Sequence, residues 1–392
     1  MRAIAGLGLT SQIDAGRAAP GSLLLSQLWA PTPLSPDEED SHALVHLARR
    51  HAPAMALANP DIWPVDVSYA WHDGSAMVAR ARNGQSRVVL TAAELRDPKR
   101  FHAPPPDDGT RYYVDVPGSG QGQAPLSWRG RWRAIQKNDE PATAAYPPTQ
   151  HVHGFWLNRK QGLLALQYWF FYPFNDWVNV HEGDWEHIVV VLRGAHTLDD
   201  ADAFAPVSHL YYFHEWIHEP ERLIQLGGPD PREAHPVVFV GGRGDLWNLW
   251  HCERPQSGGS YPWPGRYGRV GTEYRWFSPS EKIGSPRRFL APEAFRLVML
   301  PEPDRVTASH HPELWWMRWP LFLGQRHVAG NLPTFSTLGL DHPPSHPGRH
   351  RDWNAARRFQ TWPGQVEVPL TPHLPVAWQK RRLAPEAVAL RG

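Results

Sequence analysis

Short hydrophobic runs, rather than helical repeats, dominate the pattern of apolar and polar positions along the chain. The clearest runs are rich in β-branched and aromatic residues and are bounded by Gly, Pro, Asn or Asp; they lie at 163–172, 186–192, 207–213 and 236–240. Runs of about four to eight such residues are typical of half-buried or fully buried strands. Weaker strand candidates lie at 63–82, 87–95 and 295–300. The pattern predicts a mainly β protein.

One segment has the pattern of an amphipathic helix. Ser35 is a typical N-cap residue, Pro36 suits the first helical position, and Glu38 lies three residues after the cap. Apolar residues then recur at helical spacing, and Pro53 follows as a stop signal. We therefore predict one helix over 36–51, lying against the β-structure.

The composition narrows the fold class further. The 392 residues include 20 Trp and 41 Pro, and proline breaks helices and limits strands to short runs. We expect a β-sandwich with long Pro/Gly/Trp-rich loops and a few peripheral helices. The expected organisation is an irregular N-terminal segment (1–34), a single sandwich domain (35–360) with an insertion around 102–130, and a C-terminal tail (361–392).

The aromatic cluster at 314–319 has two interpretations. Trp315, Trp316 and Trp319 could lie in a membrane interface, where indole rings are favoured, or could pack beneath a sheet. Packing is the leading interpretation, because the sandwich is poor in Ile and needs aromatic side chains to fill its core.

Charge and cysteine usage exclude several classes of function. The formal net charge is +1, so no strong field attracts nucleic acid. Cys252 is the only cysteine, which precludes an intramolecular disulfide and is typical of a reducing compartment. The N-terminus does not have the pattern of a signal peptide, and no apolar stretch approaches the length of a membrane helix. We expect a cytoplasmic protein without transmembrane segments; peripheral membrane association stays open.

The densest cluster of metal-capable side chains lies at 172–187, after one predicted strand and at the start of the next. Alternate residues of a strand share a face, so Asp184 and Glu186 should point the same way. The preceding loop would let His181 and Asp176 fold back toward them. Because carboxylate oxygens favour hard cations, Mg²⁺ or Ca²⁺ is the expected ion. Alternatively, the acids pair with Arg and Trp185 is a core residue on the opposite face.

Several blocks of the chain resemble the vacuolar protein sorting-associated sixty-two family: LARRHAPAMALANPDIWPVDVSYAW (47–71), LQYWFFYPFND (166–176), HEGDWEH (181–187) and HPVVFVGGRG (235–244). HEGDWEH is also similar to the GHRHDWEH motif of the necrosis- and ethylene-inducing peptide-like cytolysins, β-sandwiches whose divalent metal helps them engage sphingolipid head groups. These resemblances imply that His181, Asp184 and Glu186 hold a metal ion and that Asp176 is an additional carboxylate.

Further residues near this site in the sequence are candidate neighbours of the ion. His187, Trp185, His214 and Glu215 are candidates for a second layer around the ion or for ligand contacts; a solvated loop histidine is the alternative for His214. His151 and His153 have the spacing of a pair that can share a metal, although such pairs usually form a polar strand face.

Three functions follow from these residues. The leading hypothesis is a non-enzymatic, metal-dependent recognition module that binds a lipid head group or a glycan. The alternatives are a metal-dependent hydrolase, with His187 or His214 moving protons, and a scaffold with a structural metal.

Overall fold

The structure is a computed structural model that describes residues 10–13, 29–101, 103–105, 107–116, 125–136, 140–175, 181–213, 216–220, 225–227, 233–241, 243–244, 258–267, 281–284, 286–324, 344–350, 353–355, 360–361, 366–369 and 375. The strands of the first half are β1 (Thr10–Ile13), β2 (Thr32–Pro33), β3 (Ala54–Leu57), β4 (Ala76–Arg80), β5 (Ser86–Thr91), β6 (Arg111–Asp115), β7 (Thr149–Asn158), β8 (Leu163–Asn175) and β9 (His181–Arg193). The remaining strands are β10 (Ala205–Phe213), β11 (Trp216–His218), β12 (Gln225–Gly227), β13 (Ala234–Val240), β14 (Arg243–Gly244), β15 (Ser260–Tyr261), β16 (Gly265–Tyr267), β17 (Glu281–Ile283), β18 (Arg288–Leu290), β19 (Arg296–Met299), β20 (Leu321–Leu323), β21 (Gln360–Thr361) and β22 (Val366–Pro369). The α-helices are α1 (Pro36–Glu39), α2 (His42–Arg50), α3 (Ala92–Leu95) and α4 (Pro125–Gln136).

The central sheet has the order β19-β7-β8-β9-β10-β11-β21, with β2 paired to β7. Strands β8 and β9 form its long antiparallel hairpin, in which Tyr172 pairs with Asp184 and Trp169 pairs with His187. Because paired residues share a face, the hairpin has two distinct faces. One face carries Tyr172, Asp184 and Glu186, and the other carries Trp169 and Trp185.

A second sheet, β12-β13-β3-β18 with β15 on β13, covers the face that carries Asp184. Val238 of the second sheet and Leu166 and Val190 of the central sheet belong to one hydrophobic core. The Tyr211 hydroxyl donates across the layers to the Val237 carbonyl at 3.2 Å. This arrangement confirms the predicted mainly β class and is consistent with a β-sandwich.

The strongest strand predictions are confirmed, whereas two local predictions need correction. The helix predicted over 36–51 is two helices, because Asp40 ends α1 and Ser41 begins α2 as a second N-cap whose hydroxyl accepts from Leu44 N. The stretch predicted as an insertion or flexible loop contains β6, which pairs with β4 and β20 in a four-stranded sheet, so the loop prediction is wrong there. It also leads into α4, whose Trp132 is buried. That the stretch is an insertion stays a prediction.

The aromatic cluster packs inside the protein, as the leading interpretation held. A 3-10 helix over Pro312–Met317 buries Trp315 and Trp316. Trp315 stacks on Phe101 with ring centroids 3.4 Å apart, and Trp316 lies parallel to Trp185 at 6.0 Å. Trp319 is half-buried against the same core. Within the described residues, no helix combines the length and apolarity needed to span a membrane.

A polar network joins residues 353–355 to the central sheet. The Glu302 carboxylate accepts hydrogen bonds from Trp353 Nε1 at 2.9 Å and Asn354 Nδ2 at 2.7 Å, and it lies 3.5 Å from His153 Nε2. Burial alone raises the pKa of Glu302, but His153 and these two donors outweigh burial and lower it from 4.5 to about 2. The ionised carboxylate is therefore the form that the fold stabilises.

Replacing Glu302 with Gln should lower the free energy of unfolding by about 2–3 kcal/mol, because an amide presents one acceptor and one donor where two donors converge. A carboxyl group whose pKa is lowered by folding contributes stability at every pH above its pKa in the unfolded chain, and this contribution is lost only as the pH falls below that pKa. The deficit measured by denaturant unfolding should therefore be constant between pH 8 and 6. Asp304→Asn, at an exposed acid of the same segment, is the control. A Glu302→Gln deficit no larger than that of the control would contradict the network's role.

Candidate functional site

The segment HEGDWEH (181–187), called the motif below, lies wholly within strand β9. Strand β9 begins at His181, five residues before the strand start predicted at Glu186, so His181 is not in a loop as we expected. The reason is pairing: Asn175 and Phe174 at the end of β8 pair with His181 and Glu182 and extend the hairpin. The motif is thus held by backbone hydrogen bonds of the central sheet.

Asp184 and Glu186 point to the same side of the sheet, as strand alternation predicts. Both approach Gly258, where an added Cβ would lie 2.8 Å from Asp184 Oδ2 and 3.0 Å from Glu186 Cγ. Any side chain larger than glycine at position 258 would crowd the two acids. Asp184 is buried and Glu186 is half-buried, so the pair lies at the border between core and solvent.

Two polar groups accompany the acids. Asn175 Nδ2 donates to Asp184 Oδ2 at 3.2 Å. The buried Tyr172 hydroxyl has no hydrogen-bond partner among the described residues. Burial, and next the carboxylates of Glu186 and Asp184, raise the pKa of Tyr172 well above its usual 10, so the hydroxyl is neutral and can donate. No role was predicted from the sequence for either group. Tyr172 could have been identified from sequence, because it lies on the predicted strand that precedes the motif.

The His181 ring is oriented by its own strand. Its Nδ1 lies 2.7 Å from the Gly183 carbonyl and 3.2 Å from the Glu182 carbonyl, and a carbonyl can only accept. In the neutral ring the proton is therefore on Nδ1 and the lone pair is on Nε2. A carbonyl that fixes the tautomer in this way is a common feature of metal-binding histidines.

Gly183 lies between Glu182 and Asp184, two acids that regular strand alternation would place on the same face of the sheet. Gly183 has φ +60°, in the left-handed region. The Glu182 carboxylate is buried and accepts from Val116 N at 2.9 Å, which ties it to the end of β6. Glu182 is thus a structural acid of the motif, a role that sequence reasoning did not assign.

Trp185 and His187 lie on the opposite face of the sheet from Asp184. Trp185 packs on Phe171 and Trp316, as the core interpretation predicted. The His187 ring stacks on Trp169 at 4.1 Å and contacts Tyr212 in a tilted arrangement at 3.9 Å. The structure therefore does not bring Trp185 or His187 together with the acidic pair.

The histidine pair on β7 is part of the core rather than a shared site. His151 and His153 are both fully buried. His153 contacts the Leu300 carbonyl through Nδ1 and Asn354 Oδ1 through Nε2, so both of its ring nitrogens are occupied. Burial lowers the pKa of His151 to about 4, which keeps that ring neutral.

The full predicted ligand set extends beyond the described part of the chain. Asp176, His214 and Glu215 lie outside the described residues, so their roles stay predictions. His181, Asp184 and Glu186 do not by themselves place three ligand atoms within 4.8 Å of one another; within the described ranges, Asp40, His310 and His311 do. A metal ion at the motif therefore requires a further ligand or a side-chain rotation.

Comparison with known proteins gives a distant likeness only. No protein-family model and no curated protein matches the chain. One similar solved structure is necrosis and ethylene inducing protein 2 from the causal agent of cocoa's witches' broom disease, at 13% identity and a TM-score of 0.25, covering 69% of this chain and 76% of that one. Another is the non-toxic HaNLP3 protein, at 10% identity and a TM-score of 0.28, covering 81% of this chain and 97% of that one. Both TM-scores are below 0.5, so neither structure assigns a role to the residues of this site.

Proposed function

We propose that the protein is a metal-dependent recognition module, in which Asp184, Glu186 and His181, with Asp176 as a further ligand, hold a divalent cation that binds a lipid head group or a glycan. The observation that carries the proposal is the convergence of Asp184 and Glu186 over Gly258 beside the Tyr172 hydroxyl.

The chemistry of the pair favours Mg²⁺ or Ca²⁺. Hard cations prefer carboxylate oxygens, and the motif offers two of them on one face of the sheet. One imidazole nitrogen is compatible with such a site, whereas a structural zinc site usually has Cys or several His. A cation there would present open coordination positions to an oxygen-rich ligand.

Of the two histidines predicted as bases of a hydrolase, His187 is placed on the wrong face of the sheet, and His214 lies outside the described residues. Proton transfer needs a base within hydrogen-bond reach of the metal-bound water. His187 lies on the other face of the sheet, packed between Trp169 and Tyr212, so the sheet itself separates it from the acids. Recognition requires only the cation and an accessible rim.

Asp184→Asn should abolish Mg²⁺ or Ca²⁺ binding at the motif. We expect the wild-type chain to gain about 2–3 kcal/mol of stability at a cation concentration near 100 times the dissociation constant, and the variant to gain none. Metal content and thermal unfolding with and without EDTA measure this effect. Asp107→Asn, at an exposed acid, is the matched control.

Lipid vesicle and glycan panels then test recognition. Cation-dependent binding that Asp184→Asn loses and Asp107→Asn keeps would support the module. Equal binding by wild type and Asp184→Asn would remove its basis. A stabilising cation without any cation-dependent ligand would instead favour a scaffold with a structural metal.

A further inference from the structure

We propose that Asp40, His310 and His311 form a second, separate metal site that takes a borderline divalent cation such as Zn²⁺. The three side chains come from the junction of α1 and α2 and from the segment before the 3-10 helix over Pro312–Met317. Their ligand atoms lie within 4.8 Å of one another. None of them belongs to the motif on β9.

The distances match a tetrahedral ion. His310 Nε2 lies 3.6 Å from Asp40 Oδ2, and His311 Nε2 lies 3.5 Å from Asp40 Oδ1. Ligands at about 2.0–2.1 Å from a tetrahedral zinc are about 3.3 Å apart. The two histidines face different oxygens of Asp40, and every pair of ligand atoms lies within 4.8 Å. Side-chain movements of up to about 1.5 Å would therefore bring all three ligands to the spacing of one tetrahedral ion, with the fourth position open to water.

Contacts outside the proposed site hold the end of α1 against the segment that leads to His310. Buried Glu39, the residue before Asp40, accepts from Arg305 Nη1 at 2.7 Å and from Glu302 N at 2.9 Å. These contacts fix the end of α1 against the segment that leads to the histidines. Asp40 itself caps α1. The two segments are therefore held together by the Glu39–Arg305 ion pair, which involves none of the three ligands.

The two histidines are held by a tight turn. Thr307 N donates to the His310 carbonyl at 2.8 Å, and His310 N donates to Thr307 Oγ1 at 3.0 Å. His311 adopts φ +54°, a left-handed conformation that is uncommon for a residue other than glycine. This conformation brings adjacent rings to one side of the chain, with centroids 4.1 Å apart.

One ring nitrogen lacks a partner in this arrangement. His311 Nε2 is shielded from solvent and makes no hydrogen bond, although it faces Asp40. Glu313 Oε1 lies 3.8 Å from the other nitrogen, Nδ1, on the side where metal-binding histidines commonly meet a carboxylate. Two imidazoles and one carboxylate are a donor set that suits zinc better than Mg²⁺ or Ca²⁺.

Zinc titration of the full chain, by calorimetry and by competition with a chromogenic chelator, tests the site. His311→Asn removes the imidazole while keeping a residue that tolerates the left-handed conformation. We expect His311→Asn, His310→Ala and Asp40→Asn each to weaken zinc binding by at least ~10-fold. His46→Asn, at an exposed histidine of α2, should bind zinc like the wild type.

The two proposed sites are distinguished by reciprocal variants. Asp184→Asn should leave zinc uptake at Asp40, His310 and His311 unchanged, and Asp40→Asn should leave Mg²⁺ or Ca²⁺ binding unchanged. Cobalt-substituted protein gives a second readout, because the visible absorption of a four-coordinate ion should disappear in His311→Asn. Zinc binding that is absent, or that is equal in the wild type and all three site variants, would show an ordinary surface cluster of His and Asp and overturn the proposal.

Discussion

Acidification from pH 7.5 to about 5.5 should remove most of the stability of this protein. Five histidines are buried with lowered pKa values: burial takes His51, His209 and His346 to about 3 and His151 and His218 to about 4. In the unfolded chain each returns to about 6.5. At a pH between the folded and unfolded pKa values, these histidines are protonated in the unfolded chain and neutral in the folded chain. Their full contribution to the free energy of unfolding is therefore present above pH 6.5 and is lost as the pH falls below 6.5.

The expected loss is large because the effects add. Each such histidine costs about 1.4 kcal/mol for every pH unit below 6.5. Five together cost about 7 kcal/mol at pH 5.5, against a total stability of about 5–15 kcal/mol for typical domains. The folded state should therefore become marginal near pH 5.

Denaturant unfolding at a series of pH values measures this loss directly. The slope of the unfolding free energy between pH 6 and 5 should correspond to an uptake of several protons. His209→Gln keeps a polar side chain next to Gln225 and should reduce the uptake by about one proton. A stability that is flat from pH 7.5 to 5 would show that these rings can be charged in the folded protein.

Gly183→Ala should destabilise the protein by at least about 3 kcal/mol and disturb the motif around Asp184. Two costs combine at this position. The left-handed φ of +60° penalises any Cβ by about 1–2 kcal/mol. The new Cβ would also lie 2.0 Å from the Leu323 carbonyl oxygen, and relieving that overlap requires β9 and β20 to move apart.

Gly74→Ala is the matched control for this substitution. Gly74 also has a positive φ, +95°, but a Cβ there would meet no atom within 4 Å. It should cost only the backbone term of about 1–2 kcal/mol. The difference between the two variants in free energy of unfolding, measured by chemical denaturation, gives the cost of the overlap with the Leu323 carbonyl. Equal losses in the two variants would show that β20 moves away without a measurable loss of stability. The His181 ring, which donates to the Gly183 carbonyl, should shift only in Gly183→Ala.

Part of the candidate site was predictable from local sequence. Alternation along a strand is a property of the backbone, so it placed Asp184 and Glu186 on one face and Trp185 on the other. Strand alternation does not reveal where a neighbouring strand will extend the pairing, and for that reason the start of β9 at His181 was missed. Gly258 lies far along the chain from Asp184, and no local pattern connects the two.

Local chemistry by itself determined the β-rich class, the long strands of the central sheet, the N-cap at Ser35 and the direction of the acidic pair, because propensity and alternation act between near neighbours in the chain. Tertiary structure decided the rest. It recruited β6 into a sheet between β4 and β20. It also brought Asp40 to His310 and His311 through the buried contacts of Glu39. These outcomes depend on which segments, far apart in the sequence, bury their surfaces against each other, and that is decided by the whole fold.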